Sequence, residues 1–155
     1  MTHSWLFTGP PGSGRSQAAM AFAAALVCTD PHEVGCGRCA GCRDALADQH
    51  ADVVHVVPKE LIIKTEYIRD IVAQAARMPT VAAHRVLIIE NADRLHPAAA
   101  DALLKTGGEP PERTVIIMLA PSTDPEDFSQ TLRSRCRHLY IPSPSESELV
   151  RILMD

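Results

Sequence analysis

The sequence has few aromatic residues, no long apolar run and no excess of basic residues, and each of these shortages excludes a type of core, location or partner. One Trp, two Tyr and three Phe are its whole aromatic content, so Ala, Val, Leu and Ile must fill the core. No apolar run approaches the ~18–20 residues that a membrane span needs, and no signal-peptide pattern opens the chain. Basic residues are not in excess, since the formal net charge is −4, which leaves no global basic surface for nucleic acid. We expect a cytoplasmic protein with no membrane partner.

Hydrophobic residues make up 46% of the 155 residues, enough for one packed domain spanning residues 1–155. Apolar runs predict strands at residues 5–8, 53–57, 86–89, 114–119 and 137–141. The remaining patterns predict helices at 16–27, 65–78 and 98–106, shorter ones near 39–47 and 127–133, and a terminal helix capped by Ser143 or Ser145. Strands that alternate with helices predict a three-layer α/β fold, whose five-stranded, mainly parallel sheet is covered by helices on both faces.

The first predicted strand leads into a glycine-rich loop at residues 9–16 that opens the first helix. Its spacing matches the P-loop G-x-x-x-x-G-K-[ST], in which backbone N–H groups hold phosphates and the Ser hydroxyl meets Mg²⁺. Arg15 stands where the motif has lysine, and its planar fork is not equivalent to a compact ammonium. We therefore expect ATP or ADP with Mg²⁺ to bind weakly or not at all. The vestigial nucleotide-binding residues are Gly9, Gly12, Ser13, Gly14, Arg15 and Ser16, together with Glu90.

Glu90 and Asn91 follow the buried strand predicted at residues 86–89. A P-loop ATPase needs a carboxylate at such a strand end to hold Mg²⁺, and many place a glutamate beside it to polarise the attacking water. Glu90 can supply the first group, but Asn91 cannot act as a base. Alone, this segment could be an ordinary polar strand end. Together with Arg15, it predicts a pocket that has lost the groups hydrolysis requires.

Four of the five cysteines lie within residues 28–42. Cys28, Cys36, Cys39 and Cys42 have spacings that let four thiolates converge on one ion and fill a tetrahedral zinc shell. Such a zinc would be structural, because no coordination position stays open. We favour zinc; an iron–sulfur cluster is the competing metal interpretation, and four thiols without any metal are the remaining alternative. His32 lies in the same segment, and we interpret it as a surface residue because four cysteines suffice.

Arg135 lies in a Ser-Arg-Cys segment just before the last predicted strand. An arginine exported from a nucleotide-binding fold can enter a neighbour's site and stabilise charge on the transferring phosphoryl group. An isolated Ser-Arg-Cys would more simply be a solvated basic patch. Its position after two nucleotide-fold motifs favours the arginine finger.

These motifs together resemble the DNA polymerase III delta-prime family, bacterial clamp-loader subunits of the AAA+ class. The matching segments are residues 9–16, the four-cysteine module, residues 87–95, 101–106 and 109–114, and residues 134–136. The related gamma/tau subunits share most of them, but Arg15 and Asn91 favour delta-prime, whose members often do not hydrolyse ATP.

The resemblance implies a P-loop domain with a small zinc-binding insertion, in a ring that loads a sliding clamp on primed DNA. Arg135 would be the finger that acts in trans, and Ser122 or Thr123 would lie near the phosphate-sensing position. Gamma/tau and delta subunits would be the partners, and the clamp and DNA would be met through the complex. The family chain has more residues at both ends, so we interpret this sequence as the first domain, trimmed at both ends, with residues 143–155 as the possible start of a lid. Gly107 and Gly108 should end or fray the preceding helix.

The leading hypothesis is therefore a clamp-loader subunit without intrinsic ATPase activity. A second is an active clamp-loader ATPase of the gamma/tau kind. A third is a small P-loop kinase, which would also need the missing lysine. A fourth is a zinc-dependent interaction module, which leaves the glycine-rich loop unexplained.

Overall fold

The computed structural model describes residues 4–10, 12–59, 61–77, 82, 84–104, 114–121, 130–143 and 145–154. Within them lie five strands: β1 (Ser4–Thr8), β2 (Val53–Val56), β3 (Arg85–Ile89), β4 (Thr114–Ala120) and β5 (Arg137–Tyr140). The helices are α1 (Arg15–Val27), α2 (Ala40–Leu46), α3 (Thr65–Arg77), α4 (Pro97–Leu104), α5 (Gln130–Arg135) and α6 (Glu146–Met154). A single 3-10 turn at Ala92–Arg94 follows β3.

The five strands form one sheet in the order β2-β3-β4-β1-β5, and every pair is parallel. The first strand is therefore interior, with Leu6 beside Met118 of β4 on one side and beside His138 of β5 on the other. Because the strands are parallel, the loop after β1 and the segment after β3 leave the sheet at the same edge. That edge is where ligands of such sheets bind.

Alternate residues of the strands face two separate apolar clusters, one on each side of the sheet. Phe7 and Ile88 pack in the cluster that contains Ala23 of α1 and Cys42 of α2. On the opposite face, a second cluster holds Leu6, Leu87, Ile116 and Met118 of the sheet with Ile68 of α3 and Leu103 of α4. The predicted three-layer arrangement, with helices on both faces of the sheet, is confirmed.

Most element boundaries fall within one or two residues of those predicted, and the differences lie at element ends. The helix predicted at residues 98–106 begins at Pro97 and is described as far as Leu104, so Gly107 and Gly108 lie outside the described residues. The helix predicted at 127–133 is described only from Gln130 and extends to Arg135. For α6, the cap is Ser145: its Oγ accepts from the Glu148 N–H at 3.2 Å, and its own N–H donates to Glu148 Oε2 at 2.8 Å. This reciprocal pair is a capping box.

No helix in the described ranges is both long enough and apolar enough to cross a lipid bilayer.

Candidate functional site

The glycine-rich loop lies between the central strand β1 and the N-terminus of α1, as its P-loop spacing predicts. Gly12 and Gly14 have φ of 84° and 88°, a left-handed conformation that side chains disfavour. Gly9 has no room for a side chain, since a Cβ there would lie 2.3 Å from the Ile141 carbonyl oxygen. The Ser13 N–H donates to the Pro10 carbonyl at 3.0 Å and closes the turn. These constraints shape a loop whose backbone N–H groups lie at the start of a helix, where anions bind.

The polar side chains of this loop are engaged within the protein. Arg15 donates from Nη1 to the carbonyl of Gly9 at the start of the same loop. Ser16 Oγ donates to Glu90 Oε1 at 2.6 Å. Glu90 is held at the end of β3 by its N–H, which donates to the Val56 carbonyl at 2.9 Å. The structure thus brings together the two motifs that the sequence placed 74 residues apart.

Asn91, next to Glu90, is in the left-handed conformation, with φ 53° and ψ 48°, and precedes the 3-10 turn. Asn is among the few residues that adopt this conformation readily. A primary amide carries no charge and does not accept a proton at neutral pH. The position beside the carboxylate therefore supplies no general base for a water molecule.

Sequence reasoning missed His55, which lies on β2 beside Glu90. Its Nδ1 lies 3.1 Å from Asp48 Oδ2 and its Nε2 lies 3.7 Å from Glu90 Oε1. The signal was available only in part: His55 is the one polar residue in a strand of valines, but its proximity to Glu90 depends on the pairing of β2 with β3. In that pairing, Val56 lies beside Ile89 as the last pair of the two strands. His55 comes just before Val56 and Glu90 just after Ile89, so both lie at the end of this strand pair.

The four cysteines of the insertion converge, as their spacing predicts. Their Sγ atoms all lie within 4.8 Å of one another. Cys28 Sγ is 3.8 Å from Cys36 Sγ and 3.8 Å from Cys39 Sγ. In a regular tetrahedron with Zn–S bonds of ~2.3 Å, the sulfurs are about 3.8 Å apart. The four sulfurs therefore form a group that could hold a metal ion such as zinc.

Glycines and backbone N–H groups hold the sulfurs in place. Gly41 lies against α1, where a Cβ would be 2.4 Å from the Val27 carbonyl oxygen. Cys36 Sγ accepts from the N–H groups of Arg38 and Cys39 at 3.3 and 3.2 Å. Cys39 Sγ accepts from the N–H groups of Thr29 and Cys42 at 3.5 and 3.3 Å. Such N–H···S contacts stabilise thiolates, which are the form that binds metal.

The thiols differ in how easily they lose a proton. Hydrogen bonds from the Thr29 and Cys42 backbones lower the pKa of Cys39 to about 5. The Cys36 backbone N–H, followed by that of Asp30, lowers the pKa of Cys28. Burial against α1 raises the pKa of Cys42 to about 12, and burial raises that of Cys136, outside the cluster, to about 12 as well.

Arg135 is the last residue of α5, rather than a loop residue after it, and its side chain is exposed. Two residues later, Arg137 pairs with Trp5 at the amino end of the sheet, whereas the glycine-rich loop follows Thr8 at the carboxyl end. The three residue steps between these ends span roughly 10 Å of strand. Arg135 and the loop of the same chain therefore lie at opposite edges of the sheet. Ser122 and Thr123, the phosphate-sensing candidates, lie outside the described residues.

An all-parallel sheet of this order, with a glycine-rich loop after β1 and a carboxylate after β3, defines a P-loop domain of the AAA+ class. The family described as "DNA polymerase III, delta subunit" matches residues 1–145. The chain belongs to this family, and the expected correspondence to the N-terminal region of delta-prime subunits is confirmed.

Curated relatives include delta-prime and tau subunits. The chain is 32% identical over 145 residues to the DNA polymerase III subunit delta' of Pseudomonas aeruginosa, covering 92% of this chain and 44% of the relative. It is 31% identical to the delta' subunit of Escherichia coli over 151 residues, covering 96% and 45%. Identity to the tau subunit of Bacillus subtilis is 34% over 137 residues, covering 88% and 24%. The chain thus spans less than half of each of these relatives.

Among solved structures, a gamma subunit-related protein of DNA polymerase III from Thermotoga maritima is similar in fold. The TM-score is 0.59 at 22% sequence identity, and the match covers 93% of this chain and 42% of that one. This likeness supports the fold.

Proposed function

We propose that this chain is a subunit of the bacterial DNA polymerase III clamp loader that assists ATP-dependent loading of the sliding clamp without hydrolysing ATP itself. The proposed setting is a cytoplasmic ring with gamma/tau and delta subunits, in which clamp and primed DNA are met through the complex. The observation that carries the proposal is the direction of Arg15, which stands at the lysine position of the motif and donates to the carbonyl of Gly9 in its own loop.

A hydrolysing site needs a cation held by Ser16 and Glu90, a positive group on the phosphates, and a base near the attacking water. Here Ser16 and Glu90 are both present, but the positive group, Arg15, donates back to its own loop, and an amide, Asn91, stands beside the carboxylate. Each of these changes opposes turnover, and together they support a site that binds nucleotide weakly or not at all.

Arg135 is the residue we propose to act on a neighbouring subunit. It is exposed at the end of α5, on the opposite edge of the sheet from its own P-loop. An arginine in that position is too far from its own phosphate loop but is free to reach a site on an adjacent protein. Cys28, Cys36, Cys39 and Cys42 are proposed to hold one structural zinc, since four thiolates leave no open coordination position.

A reconstituted loader containing this chain with Arg135→Ala tests the proposal. We expect assembly to be intact and ATP turnover at the neighbouring site to fall by about 10³-fold or more, the usual contribution of an arginine finger. Arg137→Ala, two residues away and also exposed, is the matched control and should retain turnover. Unchanged turnover in Arg135→Ala would refute the finger, and loss in Arg137→Ala alone would transfer that role.

An active gamma/tau-type ATPase is the second candidate, because the chain is as similar to a tau subunit as to the delta' subunits. Ser16 and Glu90, the two residues that would hold the cation of such an ATPase, are also present and in contact. Turnover by the isolated chain at ordinary ATPase rates would favour this candidate. No feature of the described residues favours a small-molecule kinase or a zinc module without a nucleotide role.

A further inference from the structure

The four-cysteine module is complete as a metal site, but it is open to solvent on one side. Cys28, Cys36 and Cys39 are each partly exposed, whereas Cys42 is completely buried against α1. A structural zinc needs four sulfurs and gains nothing from the exposure of three, since burial protects cysteines from oxidation. Three of the four sulfurs are therefore within reach of small oxidants, and the structural role does not use this exposure.

Cys28 is the sulfur from which a disulfide could form most directly. Its Sγ lies 3.8 Å from Cys36 Sγ and 3.8 Å from Cys39 Sγ. A disulfide bond is about 2.05 Å long, so either pair needs an approach of roughly 1.8 Å. Because all three sulfurs belong to one surface segment, the backbone of that segment can supply the movement.

The backbone restrains one of these two pairs more than the other. Asp30 lies in the segment between Cys28 and Cys36, and its Oδ1 accepts from two backbone N–H groups. These belong to His32 and Glu33, at 2.8 and 3.1 Å. The two bonds fix a turn in the short loop that a disulfide between Cys28 and Cys36 would close. Drawing those two sulfurs together must therefore bend the loop at this turn.

Cys39 is the less restrained partner. The Thr29 N–H donates to Cys39 Sγ at 3.5 Å, which holds this sulfur beside the residue that follows Cys28. The loop from Cys28 to Cys39 also contains Gly37, whose φ of 74° lies in the left-handed region open to glycine. Gly37 gives this loop a point of adjustment that the shorter loop lacks. The pair that the structure favours for a bond is therefore Cys28 with Cys39.

We propose that the four-cysteine module is a redox switch, in which a hydroperoxide converts Cys28 and Cys39 to a disulfide and the module loses its zinc. The proposal rests on the zinc proposed above, but not on the clamp-loader role. Disulfides in cytosolic proteins are usually transient and serve as sensors or in catalysis. Reduction of the bond would restore all four ligands, so the change is reversible.

The reaction balances with hydrogen peroxide as the oxidant. One of the two thiolates attacks a peroxide oxygen, the O–O bond breaks, and a sulfenic acid forms as hydroxide leaves. The other thiolate attacks the sulfenic sulfur, the S–O bond breaks, and a second hydroxide leaves. The two sulfurs together lose two electrons, and hydrogen peroxide with two protons becomes two water molecules. Cys36 and Cys42 then remain as the only free sulfurs of the module, which is half of a tetrahedral shell.

Zinc release and disulfide mapping test the switch in the unmutated chain. The chain is first shown to hold one zinc and is then treated with excess hydrogen peroxide in the presence of a chromogenic zinc chelator. We expect one zinc to be released for each disulfide formed, and peptide mass spectrometry after alkylation should join Cys28 to Cys39. A phosphine reductant with added Zn²⁺ should return the chain to one zinc.

Two variants separate the disulfide from the zinc site itself. Cys39→His keeps a zinc ligand, since three cysteines and a histidine are a common structural set, but it removes the sulfur that the bond needs. Compared at equal zinc content, it should release zinc in peroxide at least about tenfold more slowly than the parent. Cys136→Ser is the control, because this cysteine lies outside the cluster, and it should release zinc as the parent does. The mapping in the unmutated chain needs no variant.

Several results would overturn the switch. They are zinc retained in excess peroxide, release without a disulfide, a bridge from Cys28 to Cys36 instead of Cys39, and parental release by Cys39→His. A chain that holds no zinc before peroxide is added would refute the proposed zinc site and this switch together. Loss of ATP turnover at a neighbouring site of a loader would bear on the proposed function and not on the switch.

Discussion

The P-loop and the four-cysteine module both contact α1, but their polar atoms are arranged in opposite ways. In the module, the four sulfurs turn toward one shared point and all are acceptors once ionised. In the P-loop, Arg15 donates to Gly9 and Ser16 donates to Glu90, so donors and acceptors are paired within the site. Ligands of one polarity need an ion of opposite charge between them, whereas a mixed set can close on itself. The four sulfurs therefore need a bound cation to offset their charge, whereas the polar groups of the P-loop can satisfy one another without a ligand.

The largest effect is expected on zinc affinity, when one of the four sulfurs is removed. Cys42→Ser removes the buried sulfur that lies on α2 against α1. Because structural zinc sites of this kind bind with about 10–16 kcal/mol, we expect the affinity for zinc to fall on the order of 10³-fold or more. Zinc per chain after dialysis against a chelator, measured by elemental analysis, should drop from one to near zero.

Cys136→Ser is the control, because this fifth cysteine lies outside the cluster and should leave zinc content unchanged. Retention of one zinc by Cys42→Ser would contradict four-sulfur coordination. Iron and inorganic sulfide in the purified parent chain would instead identify the cluster alternative.

Local patterns predicted the module and its surroundings well, because the relevant contacts join residues that are near in sequence. The Cys-x2-Cys spacing alone places neighbouring sulfurs on one side of a turn, and Ser145 with Glu148 forms its capping box across three residues. The apolar runs of β3 and β4 likewise predicted strands that are buried along their whole length.

The candidate site at the sheet edge could be predicted only as a set of motifs. That Ser16 meets Glu90 depends on the strand order, in which β4 lies between β1 and β3. The contact of His55 with Glu90 depends further on the pairing of β2 with β3. The direction of Arg15 toward Gly9 is a matter of side-chain rotamer, which no spacing specifies. Long-range pairing and rotamer choice are fixed by packing and are not written in local periodicity.

A second test compares thiols in the metal-free chain. Cys39 has a pKa of about 5 because of backbone hydrogen bonds, and Cys136 has a pKa of about 12 because of burial. At pH 7, Cys39 is a thiolate, whereas Cys136 is a thiolate in only about 10⁻⁵ of molecules. The thiolate fractions of the two cysteines therefore differ by about five decades. A low-pKa thiolate is intrinsically less nucleophilic, which offsets about three of those five decades. Iodoacetamide should therefore alkylate Cys39 on the order of 100-fold faster than Cys136, as peptide mass spectrometry would measure.

The alkylation rates of the two cysteines should also respond differently to pH. Raising the pH from 7 to 9 should leave the rate at Cys39 nearly constant, since it is already ionised, while the rate at Cys136 rises with the thiolate fraction. Zinc should protect Cys39 and leave Cys136 unaffected. Equal rates at the two cysteines in the metal-free chain would mean that the N–H···S contacts do not hold the sulfurs ready for a metal.

The smallest effect is expected on the P-loop side. Arg15→Lys replaces the planar fork with a compact ammonium that can leave Gly9 and reach a phosphate. One added charge-assisted hydrogen bond is worth about 1.5–3 kcal/mol, part of which is lost with the Gly9 contact, so we expect ATP to bind about tenfold more tightly. Titration with a fluorescent nucleotide measures the change. Arg38→Lys, at an exposed ion pair with Glu33, should leave the affinity as it is.

No hydrolysis should accompany this gain, because Asn91 still supplies no base. Turnover in Arg15→Lys would show that the residue at the lysine position alone controls catalysis, and that the internal hydrogen bonds of the P-loop do not prevent nucleotide hydrolysis. Unchanged affinity would locate the block at the Ser16–Glu90 contact instead, since that pair would still occupy the cation position after Arg15 is gone. The double variant Arg15→Lys, Ser16→Ala separates these outcomes. If Ser16 and Glu90 hold the cation, nucleotide binding by the double variant should no longer depend on Mg²⁺. If the two residues only close the loop, the double variant should bind nucleotide more tightly.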